Sequence, residues 1–254
     1  PMRRLAELLP ILSPPDAHPD PTRLLSRLLG VAGLLPVELT RRRFRTDRYV
    51  RQLWDLWWRE KSEFAEFQLP PCLWCGHGLR PANHPERRLA LAAQWLSAGD
   101  ILTQLEEWLL EDLPDARLAP LLLDRLQGNS DSYWSWHWTL RSPRLARPQP
   151  MLGPQRLTDL AINAVLPWLW MRATVGRNQG LRQRAEARYF AWPAAEDNAV
   201  LRLARQRLLG GARRIRFGKA ALQQGLLQVV HDFCHHSNAL CDDCGFPGVA
   251  RAAD

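Results

Sequence analysis

Apolar residues recur at three- and four-residue steps along most of this chain, the spacing that turns one face of an α-helix toward a core. No run of alternating β-branched residues is long enough to predict a sheet. A leucine-rich helical segment is already under way at Leu5 to Leu12, and Pro14, Pro15, Pro19 and Pro21 then break any helix between Ser13 and Thr22. Residues 1–21 therefore read as the end of a preceding segment plus a proline-rich linker, so the chain is expected to be a fragment. Residues 22–254 read as one helical domain.

Within that domain Leu24, Leu25, Leu28 and Leu29 form one stripe, with Thr22 placed to cap its start and Gly30 and Gly33 near its stop. A second helix is predicted from about Asp47 to Phe67. Val50, Leu53, Trp54, Trp57, Trp58 and Phe64 recur along it, and its aromatic stripe reads as core. Asn83-His84-Pro85-Glu86 reads as a helix start, with Leu89, Ala92, Ala93 and Leu96 inward and Gly99 as the stop. Asp100 is placed to cap a helix with Ile101, Leu105, Trp108 and Leu109, and Leu118, Leu121, Leu122 and Leu126 supply the next. Four prolines in Arg141 to Gln155 mark the candidate internal boundary, 141–155.

Leu157 to Met171 keeps helical spacing with a kink expected at Pro167, and Arg182–Phe190 and Asn198–Leu209 form a pair. The last helix, from about Lys219, presents Leu222, Leu226, Val229, Val230 and Phe233 on one side. The fold class is all-α: an irregular set of short antiparallel helix pairs with a cysteine-rich C-terminal loop.

The charge is +8, from 34 Lys+Arg against 26 Asp+Glu, and only Lys61 and Lys219 are lysines. Arginine on this scale suits either a basic nucleic-acid surface or a GC-rich coding composition. Arg41-Arg42-Arg43-Phe44-Arg45 and Arg213-Arg214-Ile215-Arg216-Phe217 interleave arginine with apolar residues, as phosphate-neutralising, base-stacking segments do, and as solvated loops also do. The most apolar stretch, Ala161 to Met171, is too short to cross a bilayer, so the expected location is cytoplasmic, with no membrane partner.

All five cysteines fall in two windows, Cys72-Leu73-Trp74-Cys75 and Cys234 followed by Cys241-Asp242-Asp243-Cys244. Two C-x2-C knuckles can each aim a pair of thiolates at one ion. A closed zinc site of Cys72, Cys75, Cys241 and Cys244 competes with an iron–sulfur cluster on Cys234, Cys241 and Cys244 plus Cys72 or Cys75. Unligated reduced thiols are the third reading. His231, His235 and His236 crowd the same tail, as ligands or as outer partners of ligands. No glycine-rich phosphate loop and no assignable Ser/His/Asp set is present.

Several segments carry a resemblance. Leu28-Leu29-Gly30-Val31-Ala32-Gly33-Leu34-Leu35, Leu79-Arg80-Pro81-Ala82-Asn83-His84-Pro85 with Arg88-Leu89-Ala90, and Tyr133-Trp134 with His137-Trp138 occur in a recognisable order. Leu152-Gly153, Ile162-Asn163 with Pro167, Glu196 with Asn198, and the closing Cys234, Cys241 and Cys244 follow. Together they resemble the C-terminal half of the bacterial domain-of-unknown-function family number 2851. The resemblance implies no activity. It implies a further N-terminal half, similar to restriction-endonuclease-like nucleases, that is missing here. The Cys72/Cys75 knuckle departs from the family pattern.

On these grounds the chain reads as a metal-stapled helical module that binds or scaffolds, holding nucleic acid through Arg80, Asn83, Arg87 and Arg88 beside a nuclease-like half. The alternatives are a metalloenzyme with a pocket at Arg80, Asn83, His84 and Tyr133–Trp138, and a protein-binding adaptor. Arg80-Pro81-Ala82-Asn83 also has a purely local reading, as a helix-start hydrogen-bonding segment.

Overall fold

The structure is a computed structural model that describes residues 1–13, 20–37, 47–74, 83–99, 101–127, 133–210, 217–234 and 244–252. The described residues are helical, with a single isolated bridge between Pro193 and Lys219 in place of any strand. The chain divides into two compact units, Pro1–Gln104 with Asp124–Leu152, and Leu105–Leu123 with Gly153–Asp254.

In the first unit, helix α1 (Met2–Leu12) packs on α2 (Pro21–Val31), and α2 packs on α3 (Arg48–Phe64) and α4 (Pro85–Ala98). Asp20, not Thr22, caps α2: its carboxylate accepts from the amides of Thr22 and Arg23, and Pro21 occupies the first turn, where no amide donor is needed. Asp47 caps α3 in the same way. Leu24, Leu28, Leu29, Leu53, Trp57 and Leu89 form the heart of the core. The Trp57 ring lies where a Cβ on Gly30 would be, 2.1 Å from its nearest ring carbon, so glycine is required at that crossing.

Glu60, 7% exposed, receives Arg27 Nε at 2.7 Å and Arg23 Nε at 2.5 Å, while Arg27 Nη1 donates to the Leu12 carbonyl at the end of α1. Burial pushes the Glu60 carboxyl up, but the hydrogen bonds and charges of Arg27 and Arg23 outweigh it and hold the group below the ordinary carboxylate range. Gly99, at φ +76°, ends α4 in the left-handed conformation, as its position predicts.

Helices α5 (Ile101–Leu110) and α6 (Asp115–Gln127) contribute residues to both units. The second unit continues with α7 (Pro154–Leu160), α8 (Leu166–Val175), α9 (Gln179–Ala191), α10 (Ala199–Leu208), α11 (Ala220–Val229) and α12 (Phe246–Ala252). Helices α8 and α9 form its principal hairpin, and α9 and α10 both pack on α11. The kink expected at Pro167 is a π-turn at Ala161–Val165 just before it: proline lacks the amide that would bond back four residues, and the ladder widens there.

The stripe predicted for the last helix is rotated. Leu222 is 56% exposed, whereas Gln223 is 3% exposed and clamps Ala195, accepting from its amide at 2.8 Å and donating to its carbonyl at 2.9 Å. A buried glutamine that pairs with both main-chain groups of one residue is tolerated where an unpaired one would not be.

Candidate nucleic-acid interface

Helix α3 is amphipathic because Val50, Leu53, Trp57, Glu60 and Phe64 return to one side at helical spacing and pack inward. At about 100° per residue, Arg48, Arg51, Gln52, Asp55 and Arg59 fall together on the opposite side. These residues, with Leu56, line an open cleft of about 370 Å³. From Arg48 to Arg59 the helix rises about 16 Å, so three guanidinium groups are held in a row by one rigid element. Asp55 sits among them and tempers their charge.

The aromatic stripe expected to be core is split by this geometry. Trp57 is buried at 3% exposure, but Trp58 is 51% exposed and, at helical spacing, falls on the Arg51 side of α3. Trp58 stacks on Trp54 at 5.0 Å between ring centroids and 23° between planes. Trp54 is itself fixed by its indole N–H, which donates to the Pro36 carbonyl at 3.2 Å. Lys61 Nζ lies over the Trp58 ring, 4.2 Å from its centroid. Adjacent residues lie about 100° apart on a helix, so Trp57 and Trp58 do not share one buried side.

Of the four arginine and asparagine positions predicted from sequence, the structure describes three. Arg80 lies outside the described residues. Asn83 is half-buried and Arg88 is exposed. Arg87, expected at a ligand surface, is 1% exposed instead. Its Nη2 donates to the carbonyls of Gln149 and Pro150, at 2.7 Å and 2.8 Å, and its guanidinium lies 4.6 Å from the centroid of Trp138. A group enclosed in this way anchors a chain segment and cannot reach a phosphate.

Next to it, Glu86 accepts the Leu140 amide at 2.7 Å. Burial pushes the Glu86 carboxyl up to about 7, against the pull of that amide and of Arg141. The first turn of α4 thus pins the segment after Tyr133 at several points. His84 stands at the helix cap position, without a side-chain capping bond of its own. The aromatic group is a stack: Tyr133 lies between Tyr49 at 4.4 Å and His137 at 4.1 Å, and Trp134 Nε1 donates to the Tyr49 hydroxyl at 3.0 Å.

Among the cysteines, Cys72 lies exposed on the 3-10 turn Pro71–Leu73 of the first unit, beside Trp74, whose indole N–H donates to the Ala32 carbonyl at 2.7 Å. Cys234 ends the π-turn Val230–Cys234 of the second unit, and Cys244 precedes α12. Cys75, Cys241, His235 and His236 lie outside the described residues, as do both arginine runs. Among the described residues no group of three or more His, Cys, Asp or Glu side chains is arranged to hold a metal ion, and no helix is long and apolar enough to cross a membrane.

The profile of the family described as "Protein of unknown function (DUF2851)" matches residues 1–198. The chain belongs to the DUF2851 family. The match covers α1 to α9, and so the arginine row of α3 and the anchored first turn of α4 lie within the matched residues. The resemblance drawn from sequence extended to the closing cysteines, but Cys234, Cys241 and Cys244 fall beyond the matched residues. No curated protein and no solved structure matches the chain.

Proposed function

We propose that this DUF2851 protein is a helical binding module that holds nucleic acid along the outer face of α3. The observation that carries this reading is the row of Arg48, Arg51 and Arg59 lining one open cleft on a helix whose opposite side is locked into the core. Guanidinium groups on a rigid support match phosphate oxygens in fork geometry, and neutralising phosphates releases counterions, which supplies the affinity. The net charge of +8 favours approach of a polyanion over the whole surface. A nuclease-like segment of the same polypeptide, as the family resemblance implies, would find its substrate held by this face.

The test is a salt titration of oligonucleotide binding to the full chain. Affinity should fall as salt rises, and Arg51→Gln with Arg59→Gln should reduce the slope of log K against log salt by about 2 in total. Asp55→Asn should tighten binding. Binding that ignores salt, or double-variant binding equal to that of the parent, would remove the reading.

A metal in the C-terminal tail is a second, independent proposal, and one contact favours it. The Phe233 and Phe246 rings pack 5.5 Å apart, which draws the turn ending at Cys234 toward the stretch that contains Cys244. Cys234, Cys241 and Cys244 would supply thiolates to zinc or to an iron–sulfur cluster. Metal analysis with an absorption spectrum of anaerobically purified protein decides between the two. Protein free of both zinc and iron would end the proposal.

A further inference from the structure

Resting on the nucleic-acid reading of α3, we infer that its preferred ligand is single-stranded, with Trp58 serving as the platform for one unstacked base while Arg48, Arg51 and Arg59 take the adjoining phosphates. A row of arginines alone would serve duplex and single strand alike, since both present phosphates. A single strand also offers the faces of its bases, and an exposed aromatic ring beside the phosphate row captures them.

Three observations make Trp58 such a ring. It is half-exposed on a helix whose opposite side packs into the core. It is held rigid from behind by Trp54, which is in turn fixed to the Pro36 carbonyl, so little side-chain freedom is lost on binding. It also falls on the same side of the helix as Arg51, two turns further along and next to the residues that line the cleft in sequence.

The outer face of the ring is covered by Lys61, and the cover is exchangeable. A cation over an exposed ring is worth about two- to fivefold in equilibrium terms. A stacked base is worth roughly five- to a hundredfold. A base therefore displaces the ammonium group, and the freed Nζ remains within its own chain's reach of the strand's phosphates. The exchange is one contact for two.

The experiment compares a pyrimidine-rich single strand with a duplex of equal length, using the full-length parent, Trp58→Ala, Trp58→Phe and the Arg51→Gln/Arg59→Gln double variant. Circular dichroism checks that each variant is folded. The parent should bind the single strand more tightly, and Trp58→Ala should weaken that binding about tenfold or more while leaving duplex binding within about twofold. Trp58→Phe, which keeps a ring, should restore part of the loss.

Equal affinity for both ligands, or a Trp58→Ala protein that loses both equally, would overturn the single-strand inference while leaving the arginine face intact. Loss of neither ligand in the arginine double variant would instead overturn the reading of α3 itself.

Discussion

Arg87 in the first unit and Arg188 in the second both lie over a tryptophan ring, 4.6 Å from Trp138 and 4.5 Å from Trp108, and both donate to main-chain carbonyls. Arg188 reaches the carbonyls of Trp108 and Glu111, and Arg184, one turn earlier on α9, donates to the Leu110 carbonyl at 2.5 Å. These are the orphan carbonyls at the end of α5, which also carry the negative end of its dipole. Arg87 places a single nitrogen between Gln149 and Pro150, and its buried Nε and Nη1 have no partner.

The difference lies in how acceptors are supplied. A helix end presents several carbonyls in one direction, so one guanidinium is well used. An irregular segment presents them singly, and donors are left idle. Burial lowers the pKa of both groups, for Arg188 to about 10, with neighbouring Arg184 adding to the effect and Glu111 and Asp112 opposing it.

The sharpest way to break this comparison is Arg188→Met. Two charge-assisted bonds to the carbonyls of Trp108 and Glu111 are lost at about 1.5–3 kcal/mol each, so urea denaturation should show a loss of about 3–6 kcal/mol. A loss below about 1 kcal/mol would mean that water satisfies the end of α5 equally well.

Next in size is the pH dependence set by Glu86, the buried carboxyl beside Arg87. Its folded pKa of about 7 lies above the ordinary 4.5, so between those values the unfolded chain has released the proton while the folded chain keeps it. Stability should therefore fall as pH rises from about 4.5 to about 7 and be flat on either side, with a total change of up to roughly 3 kcal/mol. Glu86→Gln, whose amide oxygen still accepts from Leu140, should flatten that profile and stabilise the protein at pH 8. An unchanged slope in the variant would assign the pH dependence elsewhere.

Arg87→Met should cost only about 1–2 kcal/mol, because removing two idle buried donors offsets part of the lost bonding. A loss as large as that of Arg188→Met would erase the distinction. Smallest is Arg184→Ala, expected at about 0.5–1.5 kcal/mol for one exposed bond to the helix end, and read most directly as faster amide exchange in α5.

Sequence reasoning succeeded where the cause is local. The helix starts expected at about Asp47 and Asn198 are those of α3 and α10, where each side-chain oxygen accepts from amides two or three residues on. Gly99 ends α4 because its own backbone tolerates a positive φ. It failed at α2, where Asp20 caps in place of Thr22, because the proline at the first helical position puts the cap two residues further out.

Among the candidate site residues, spacing gave Arg87 and Arg88 the same standing, yet one is enclosed and the other exposed, as adjacent helical positions must be when one side packs. The arginine row of α3 carried a visible signal, since Arg48, Arg51 and Arg59 share a side at helical spacing. The denser run Arg41–Arg45 lies outside the described residues.

What the amino-acid order settled alone is the helical character of the chain, most of its helix starts and stops, and the basic charge, because each depends on neighbours within a turn or on composition. Tertiary structure decided which tryptophan is core and which is surface, why Gln223 is inside and Leu222 outside, and that Arg87 serves the fold. Those outcomes depend on where distant segments supply ring faces, amides and carbonyls, and no local pattern encodes that supply.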